Sequence, residues 1–218
     1  MKGSIIRSEF EARTGLRIPA ISLDINCIVP LKDIVKIIDL KIMPEQYLEA
    51  LLRNATLEGD STVQPYKDSI IEHHRIDPRS LMVAQTFVER TKYQRLIENL
   101  SGLFDGFYTN SGFAKCTALI VVGETAAQAL AIAHYLPPLI EIHKERPCLI
   151  DGTHRNFITG SIGTTIESII IRKTCKPPCE FGQWKNVNVV EAKPPRDQRF
   201  LNLEPYYFRN LGYTGIDG

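Results

Sequence analysis

The stretch that decides the fold is Leu149-Ile150-Asp151-Gly152-Thr153-His154-Arg155. An apolar strand runs directly into a carboxylate, a glycine, a hydroxyl, an imidazole and a guanidinium, and the following residues suit a helix. The free N–H groups at the start of a helix attract anions, and a glycine lets an anion approach the backbone closely. This corner therefore predicts a site for phosphate groups.

The polar residues of the corner have separate roles in such a site. Arg155 offers two parallel donors to phosphate oxygens, and His154 offers a donor or a group that titrates near neutral pH. Asp151 can hold a metal ion or accept a proton from a hydroxyl. A purely structural junction is the alternative, because Asp and Gly favour turns, Thr153 can cap a helix, and Asp151 can pair with Arg155. The heptapeptide alone leaves both interpretations open.

The flanking segments extend the corner into a small sheet. Residues 139–142 and 148–150 predict two strands joined by a charged turn. A helix after Arg155 ends at Gly163, and the β-branched residues 166–171 predict the next strand.

From Pro137 to Ile171, the sequence resembles the ParB/sulfiredoxin superfamily. The core of that family has a Pro-x-hydrophobic strand, a β-turn, a strand ending in Asp-Gly-x-His-Arg, a short helix and a further strand. Residues 76–92 resemble, more faintly, the opening strand and acidic segment of the family. The resemblance implies an α/β (α+β) fold, a small mixed sheet with helices. Residues 1–75 would be an N-terminal α/β extension, and residues 76–218 a nucleotide-binding domain.

The resemblance implies nucleotide-dependent chemistry. Some members of the family phosphorylate a small hydroxyl substrate such as free serine, some use CTP as a clamp switch on DNA, some repair an oxidised cysteine with ATP, and a few are nucleases. Sulfiredoxins have a reactive cysteine where this chain has Thr153. The CTP-switch proteins carry an Arg-Arg pair and a following helix-turn-helix domain, for which the residues after 172 are too few. The kinase-like branch is the nearest, although its members often have His at the position of Thr153.

The predicted activity is that of a nucleotide-dependent phosphotransferase or NTP hydrolase acting on a small hydroxyl compound or a nucleotide. Phosphoryl transfer depends on charge neutralisation and in-line positioning. Gly152, Thr153, His154 and Arg155 would hold the phosphates of ATP, ADP or CTP, and Mg²⁺ would bridge phosphate oxygens and Asp151.

The reaction also needs an acceptor for the proton of the attacking hydroxyl. We predict Glu89 in this role, with Asp77 as the second choice, and Asp151 and His154 as the other catalytic residues. The alternative for Glu89 is a solvated carboxylate beside Arg90.

Composition and charge limit the partners. The 218 residues are 44% hydrophobic and 23% charged, which excludes wholesale disorder and a small disulfide scaffold. The net charge of +1 lacks the basic excess of a duplex-DNA binder. A ParB-like nucleic-acid-associated protein, either a nuclease or a DNA-modification accessory, is therefore the alternative function, with contact through a local patch. A nucleotide, a small-molecule substrate and a homodimeric second copy are the other expected partners.

The chain shows no membrane-length apolar run and no signal-peptide pattern, and its five cysteines are an odd number. A cytoplasmic protein with free thiols and no membrane contact is expected. Weak metal signals at Glu72-His73-His74 and at Cys175 and Cys179 are better explained by a solvated loop and by two free thiols.

The remaining elements follow from periodicity. The pattern predicts a strand at 21–25, a helix containing Ile34, Ile37 and Ile38, a helix with Pro44 at its first position and with Tyr47, Leu48, Leu51 and Leu52 on one face, an amphipathic helix over 91–103, a buried strand at 118–122, an Ala-rich helix over 124–135, and a strand at 187–190.

Overall fold

The computed structural model describes residues 4–19, 24–92, 94 and 118–214. The chain is a mixed α/β protein with several sheets. Most of the predicted strand at 21–25 and of the predicted helix over 91–103 lies outside the described residues. Among the described helices, none is long and apolar enough to cross a membrane.

The chain divides into two compact units. Unit 1 contains residues 1–68, 117–136 and 208–218, and unit 2 contains residues 69–116 and 137–207. This division differs from the predicted boundary at 75/76, which cuts the end of a strand at Ile70–Ile76. It also assigns residues 117–136 and 208–218 to the first unit, because the strands and turns in them pair with its sheets.

Unit 1 has a five-stranded sheet in the order β1-β2-β9-β8-β3, two helices and a short two-stranded sheet of β14 and β4. Its elements are β1 (Ile5–Ile6), α1 (Arg7–Thr14), β2 (Cys27–Ile28), a 3-10 helix (Leu31–Asp33), β3 (Ile34–Ile42), α2 (Glu45–Arg53), β4 (Thr56–Leu57), β8 (Leu119–Thr125), β9 (Leu130–Tyr135), β14 (Arg209–Asn210) and a 3-10 helix (Leu211–Thr214).

Two predicted elements of unit 1 are confirmed. Helix α2 begins directly after Pro44 and buries all four of the predicted apolar residues. The buried strand predicted at 118–122 is the first part of β8, in which Ile120, Val121 and Val122 are at most 1% exposed.

Two predicted helices of unit 1 are wrong. The segment containing Ile34, Ile37 and Ile38 is strand β3, which pairs antiparallel with β8. The Ala-rich segment 124–135 is the end of β8, a turn and strand β9, which pairs antiparallel with β8. Pairing with neighbouring strands overrides the local helical preference in both places.

Unit 2 has a five-stranded sheet in the order β5-β12-β10-β11-β6 and a separate parallel pair, β13-β7. Its elements are β5 (Ile70–Ile76), a 3-10 helix (Pro78–Ser80), β6 (Met82–Val83), β7 (Phe87–Glu89), β10 (Leu139–His143), β11 (Arg146–Asp151), α3 (Thr153–Ser161), β12 (Ile166–Arg172), a 3-10 helix (Trp184–Asn186), β13 (Asn188–Val190) and two further 3-10 helices (Arg196–Gln198 and Pro205–Tyr207).

The predicted order of strand, turn, strand, helix and strand is confirmed in unit 2. Strands β10 and β11 form an antiparallel hairpin, and β12 returns after α3 to lie parallel to β10. A buried cluster of Leu81, Val83, Ile140, Leu149 and Ile170 holds four of the strands together. Apolar burial of this kind fixes the register, since a shift by one residue would turn each side chain to the opposite face. The corner between β11 and α3 therefore has a fixed position in unit 2.

Candidate functional site

The corner between β11 and α3 depends on Gly152. Its φ of 90° lies in the left-handed region, and it is the residue immediately before α3. A Cβ at this position would lie 2.9 Å from Cβ of Pro138 and 3.1 Å from Nη2 of Arg155. Since both the backbone angle and the space exclude a side chain, glycine is required here. The N-cap residue of α3 is Gly152, which has no side chain to donate or accept a capping hydrogen bond, and Thr153, which is 5% exposed, lies inside the helix and is not the predicted cap.

Arg155 and Asp151 lie on the same side of the corner. Nη2 of Arg155 is 3.5 Å from Oδ2 of Asp151, and each side chain is 17% exposed. This separation is at the long end of a hydrogen bond, so the two groups neutralise each other without a tight fork. The predicted ion pair is therefore present, and both groups remain partly accessible from solvent.

His154 joins the corner to the end of β7. The backbone N–H of Glu89 donates a hydrogen bond of 3.0 Å to Nε2 of His154. A ring nitrogen that accepts this bond carries no proton, so the neutral ring keeps its proton on Nδ1. The bond brings Glu89, the predicted proton acceptor, next to the corner. The hydroxyl of Thr91 donates to Oε1 of Glu89 at 2.9 Å.

The protonation state of His154 differs from the one expected from sequence. Burial, together with the nearby cations Lys92, Lys193 and Arg155 and against the opposing charge of Glu89, lowers the pKa of His154 from 6.5 to about 4. The prediction of a group that titrates near neutral pH is therefore wrong. His154 is neutral at pH 7 and holds the backbone of Glu89 through Nε2.

Lys92 and Lys193 also lie near His154, although the sequence alone did not indicate it. Strands β7 and β13 run parallel, with Val190 opposite Glu89. Each lysine follows its paired residue by three positions, and both lysines are close enough to His154 to lower its pKa. The ion pair of Arg90 with Glu191, at 2.7 Å, also joins the segments that follow β7 and β13. Only the pairing of β7 with β13 indicates that the two lysines, far apart in sequence, lie near each other.

Asp77, the second choice as proton acceptor, forms an ion pair with Arg79. Its carboxylate accepts hydrogen bonds from Nε and Nη2 of Arg79 at 2.9 and 2.7 Å. These bonds lower the pKa of Asp77. The structure does not bring its carboxylate into any described contact with residues 151–155.

A groove of about 200 Å³ lies beside the C-terminal half of α3. Pro78, Arg79, Phe157, Gly160 and Trp184 are among the residues that line it. The indole N–H of Trp184 donates to the carbonyl of Pro78 at 2.6 Å, which fixes the ring. The groove is smaller than the 300–1,000 Å³ of typical pockets for drug-sized ligands, so it fits one ring of a ligand.

The described residues contain no group of three or more His, Cys, Asp and Glu side chains placed to hold a metal ion. Glu72 pairs with Arg172 at 3.0 Å, and neither Cys175 nor Cys179 is in a disulfide bond. A magnesium ion at the corner would therefore have Asp151 as its protein ligand, and its remaining ligands would be phosphate oxygens and water. This donor set is of the kind Mg²⁺ takes in nucleotide sites.

A buried polar cluster on the β10–β11 hairpin was also missed. Glu141 is fully buried, and its Oε2 lies 2.5 Å from Nε2 of His143. Cys148 pairs with Glu141 across the strands, and burial raises the pKa of its thiol to about 12. The ring of His143 stacks on Phe181 with centroids 5.5 Å apart. An apolar strand pattern gives no warning of such a pair, and its place inside the sheet indicates a structural role.

Comparison of the chain with protein-family models, with curated proteins and with solved structures found no match.

Proposed function

We propose that unit 2 is a nucleotide-dependent phosphotransferase or NTP hydrolase that holds phosphates at the β11–α3 corner. The observation that carries the proposal is the left-handed Gly152 at the start of α3, which places the N-terminus of the helix near Arg155 and two lysines. An uncapped helix start presents free N–H groups and a positive dipole end to an anion.

The proposed ParB/sulfiredoxin-like core rests on the order of elements in unit 2. The hairpin of β10 and β11, the short helix α3 and the parallel return of β12 agree with the order of the family core. The motif Asp151-Gly152-Thr153-His154-Arg155 lies at the strand–helix junction where the family has its Asp-Gly-x-His-Arg element.

In the proposed site, cations neutralise the phosphate charge. Arg155 contacts phosphate oxygens from the first turn of α3, and Lys92 and Lys193 approach from the ends of β7 and β13. The backbone N–H groups of Thr153 and His154 donate to the same oxygens. Phosphoryl transfer gains most from such fixed positive groups, because little covalent chemistry is left to the protein.

Glu89 accepts the proton of the attacking hydroxyl in this proposal. His154 is a positioning residue, since it holds the backbone N–H of Glu89 and stays neutral at pH 7. Asp151 would hold Mg²⁺ together with phosphate oxygens, and the ion would supply charge neutralisation when it is bound. The groove beside Phe157 and Trp184 offers an aromatic wall for one ring of the nucleotide or its acceptor.

Nucleotide-dependent stabilisation tests the proposal. The protein is heated with ATP, ADP or CTP, with and without Mg²⁺, and unfolding is followed by fluorescence. A ligand at a hundred times its Kd stabilises by about 2.7 kcal/mol, which for a chain of this length raises Tm by roughly 5–10 °C. Arg155→Ala and Lys92→Ala are expected to lose most of that rise, whereas Lys67→Ala, at an exposed lysine of unit 1, keeps it.

Product formation completes the test. Release of ADP or phosphate is expected from the wild-type protein and lost in Glu89→Gln while nucleotide stabilisation remains. If no nucleotide raises Tm, the proposal is overturned. Binding to DNA that weakens steeply with salt and does not depend on nucleotide would favour the nucleic-acid-associated alternative instead.

A further inference from the structure

Strand β3 is an edge strand with an unusually apolar surface. It is the last strand in the order β1-β2-β9-β8-β3, and only its β8 side is paired among the described residues. Val35, Ile37, Ile38 and Ile42 are 65%, 40%, 45% and 61% exposed. A long apolar edge strand attracts other strands, and proteins normally shorten, charge or cover such edges.

The direction of the backbone groups on β3 follows from its ladder with β8. Met43 donates its N–H to Ala118 at 2.9 Å, so the N–H groups of alternate residues back to Lys41 also face β8. The N–H and C=O groups of Leu40 and Ile42 therefore face away from the sheet. In agreement with this, the outward N–H of Leu40 donates to the carboxylate of Asp39 at 2.9 Å.

We propose that the chain forms a homodimer by antiparallel pairing of two β3 strands centred on Leu40. A two-fold axis makes a central residue pair with itself, so Leu40 lies opposite Leu40 and the two exchange their outward N–H and C=O groups. Asp39 of each copy then lies opposite Lys41 of the other. The same register places Ile42 opposite Ile38 and covers two exposed apolar side chains in each copy.

Charge complementarity selects a second copy of this strand as the occupant. Asp39 and Lys41 are two residues apart, so they point to the same face, and only self-pairing about Leu40 gives two opposite-charge pairs. These are the closely spaced, non-hydrogen-bonded pairs of the new ladder, in which side chains interact most strongly. The register shift of β3 between Ile37 and Asp39 ends regular pairing there, so the new ladder is short and the dimer is weak.

The carboxylate of Asp39 changes its partner when the dimer forms. In the single chain, the carboxylate of Asp39 accepts a hydrogen bond from the exposed N–H of Leu40, which hinders non-specific pairing of this edge with other strands. In the dimer that N–H donates to the carbonyl of the second Leu40, and the carboxylate turns to Lys41 of the second copy. In the dimer, the outer edge of β3 is paired in each of the two copies. The assembly therefore closes at two copies and does not grow into a fibre through β3.

Charge reversal tests the register directly. Sedimentation over a hundredfold range of protein concentration gives the dimer dissociation constant for the wild type, Asp39→Lys, Lys41→Asp and the double swap. Each single change places two like-charge pairs across the interface and is expected to raise the dissociation constant roughly tenfold or more. The double swap restores opposite charges and is expected to return the constant to within about threefold of the wild type.

Asp197→Lys is the matched control, since it changes the charge equally at an exposed residue of unit 2. Its dissociation constant is expected to stay at the wild-type value, and the circular dichroism of all variants confirms that they fold. A wild type that is monomeric at every concentration overturns the proposal. So does a double swap that remains as weak as the single variants, or a dimer that no β3 change affects.

Discussion

Replacement of Gly152 by alanine is expected to destabilise unit 2 for two separable reasons. An L-residue at a φ of 90° costs about 1–2 kcal/mol of backbone strain. A new Cβ would lie 2.9 Å from Cβ of Pro138, closer than packed carbon atoms allow, and overpacking of this kind costs about 1–3 kcal/mol. The expected loss is therefore about 2–5 kcal/mol, a large part of the stability of a domain.

Gly163 provides the matched control for this substitution. It also has a positive φ, of 72°, but a Cβ there would meet nothing within 4 Å. Gly163→Ala is expected to lose only the backbone part, about 1–2 kcal/mol. Urea unfolding followed by the fluorescence of Trp184, the single tryptophan of the chain, measures both variants in unit 2. Equal losses in the two variants would show that Pro138 does not close the corner and would refute the steric argument.

Three further predictions concern buried groups of unit 2. Folding lowers the pKa of His154 from 6.5 to about 4, so protonation of this ring favours the unfolded state. The wild type is therefore expected to lose roughly 1–2 kcal/mol of stability as pH falls from 6.5 to 4. Urea unfolding at several pH values should show a smaller loss of stability in His154→Gln. The thiol of Cys148, with its pKa raised to about 12, should react with iodoacetamide only on unfolding, and mass spectrometry should find the part-exposed Cys175 labelled before Cys148. His143→Ala should cost about 2–4 kcal/mol, because it removes the imidazole that lies against the buried carboxylate of Glu141. The same change should cost less in a Glu141→Gln background, as a double-mutant cycle of denaturant unfolding measures.

The elements of unit 2 around the corner could be predicted because each has its own local signal. The hairpin has a charged turn between two apolar runs, and Lys144 and Glu145 in that turn have positive φ values of 49° and 62°. Helix α3 lies between two glycines with positive φ, Gly152 and Gly163. Such signals depend on neighbouring residues and are visible without the fold.

Strand β3 could not be predicted because irregularities hide its period. The register with β8 shifts between Ile34 and Lys36 and again between Ile37 and Asp39. Each shift inserts a residue and breaks the alternation of period two, so the apolar residues fall at helical spacing. Only the partner strand shows that the segment is extended.

Strand β9 was missed for a different reason. Ala131, Ile132, Ala133 and His134 are all at most 3% exposed, so both faces of the strand are buried and no alternation appears. The turn before it uses Gln128 at a φ of 59° in place of glycine or asparagine. The alanine content of this segment therefore favoured a helix, whereas burial on both faces within the sheet stabilises a strand.

The candidate site divides in the same way. The contiguous residues from Asp151 to Arg155 could be found from sequence, and so could Glu89 as a nearby carboxylate. Lys92 and Lys193 could not, because their proximity depends on the parallel pairing of β7 with β13. The neutral state of His154 also needed the structure, since burial and three neighbouring cations set its pKa.

The discontinuous chain path of unit 1 has a consequence for biosynthesis. Strand β14 pairs with β4, so residues 209–210 are needed to complete a sheet begun near residue 56. All of unit 2 is synthesised between these two strands, so β4 leaves the ribosome long before its partner strand exists. Slowed translation or chaperone capture should therefore delay the pairing of β4 with β14.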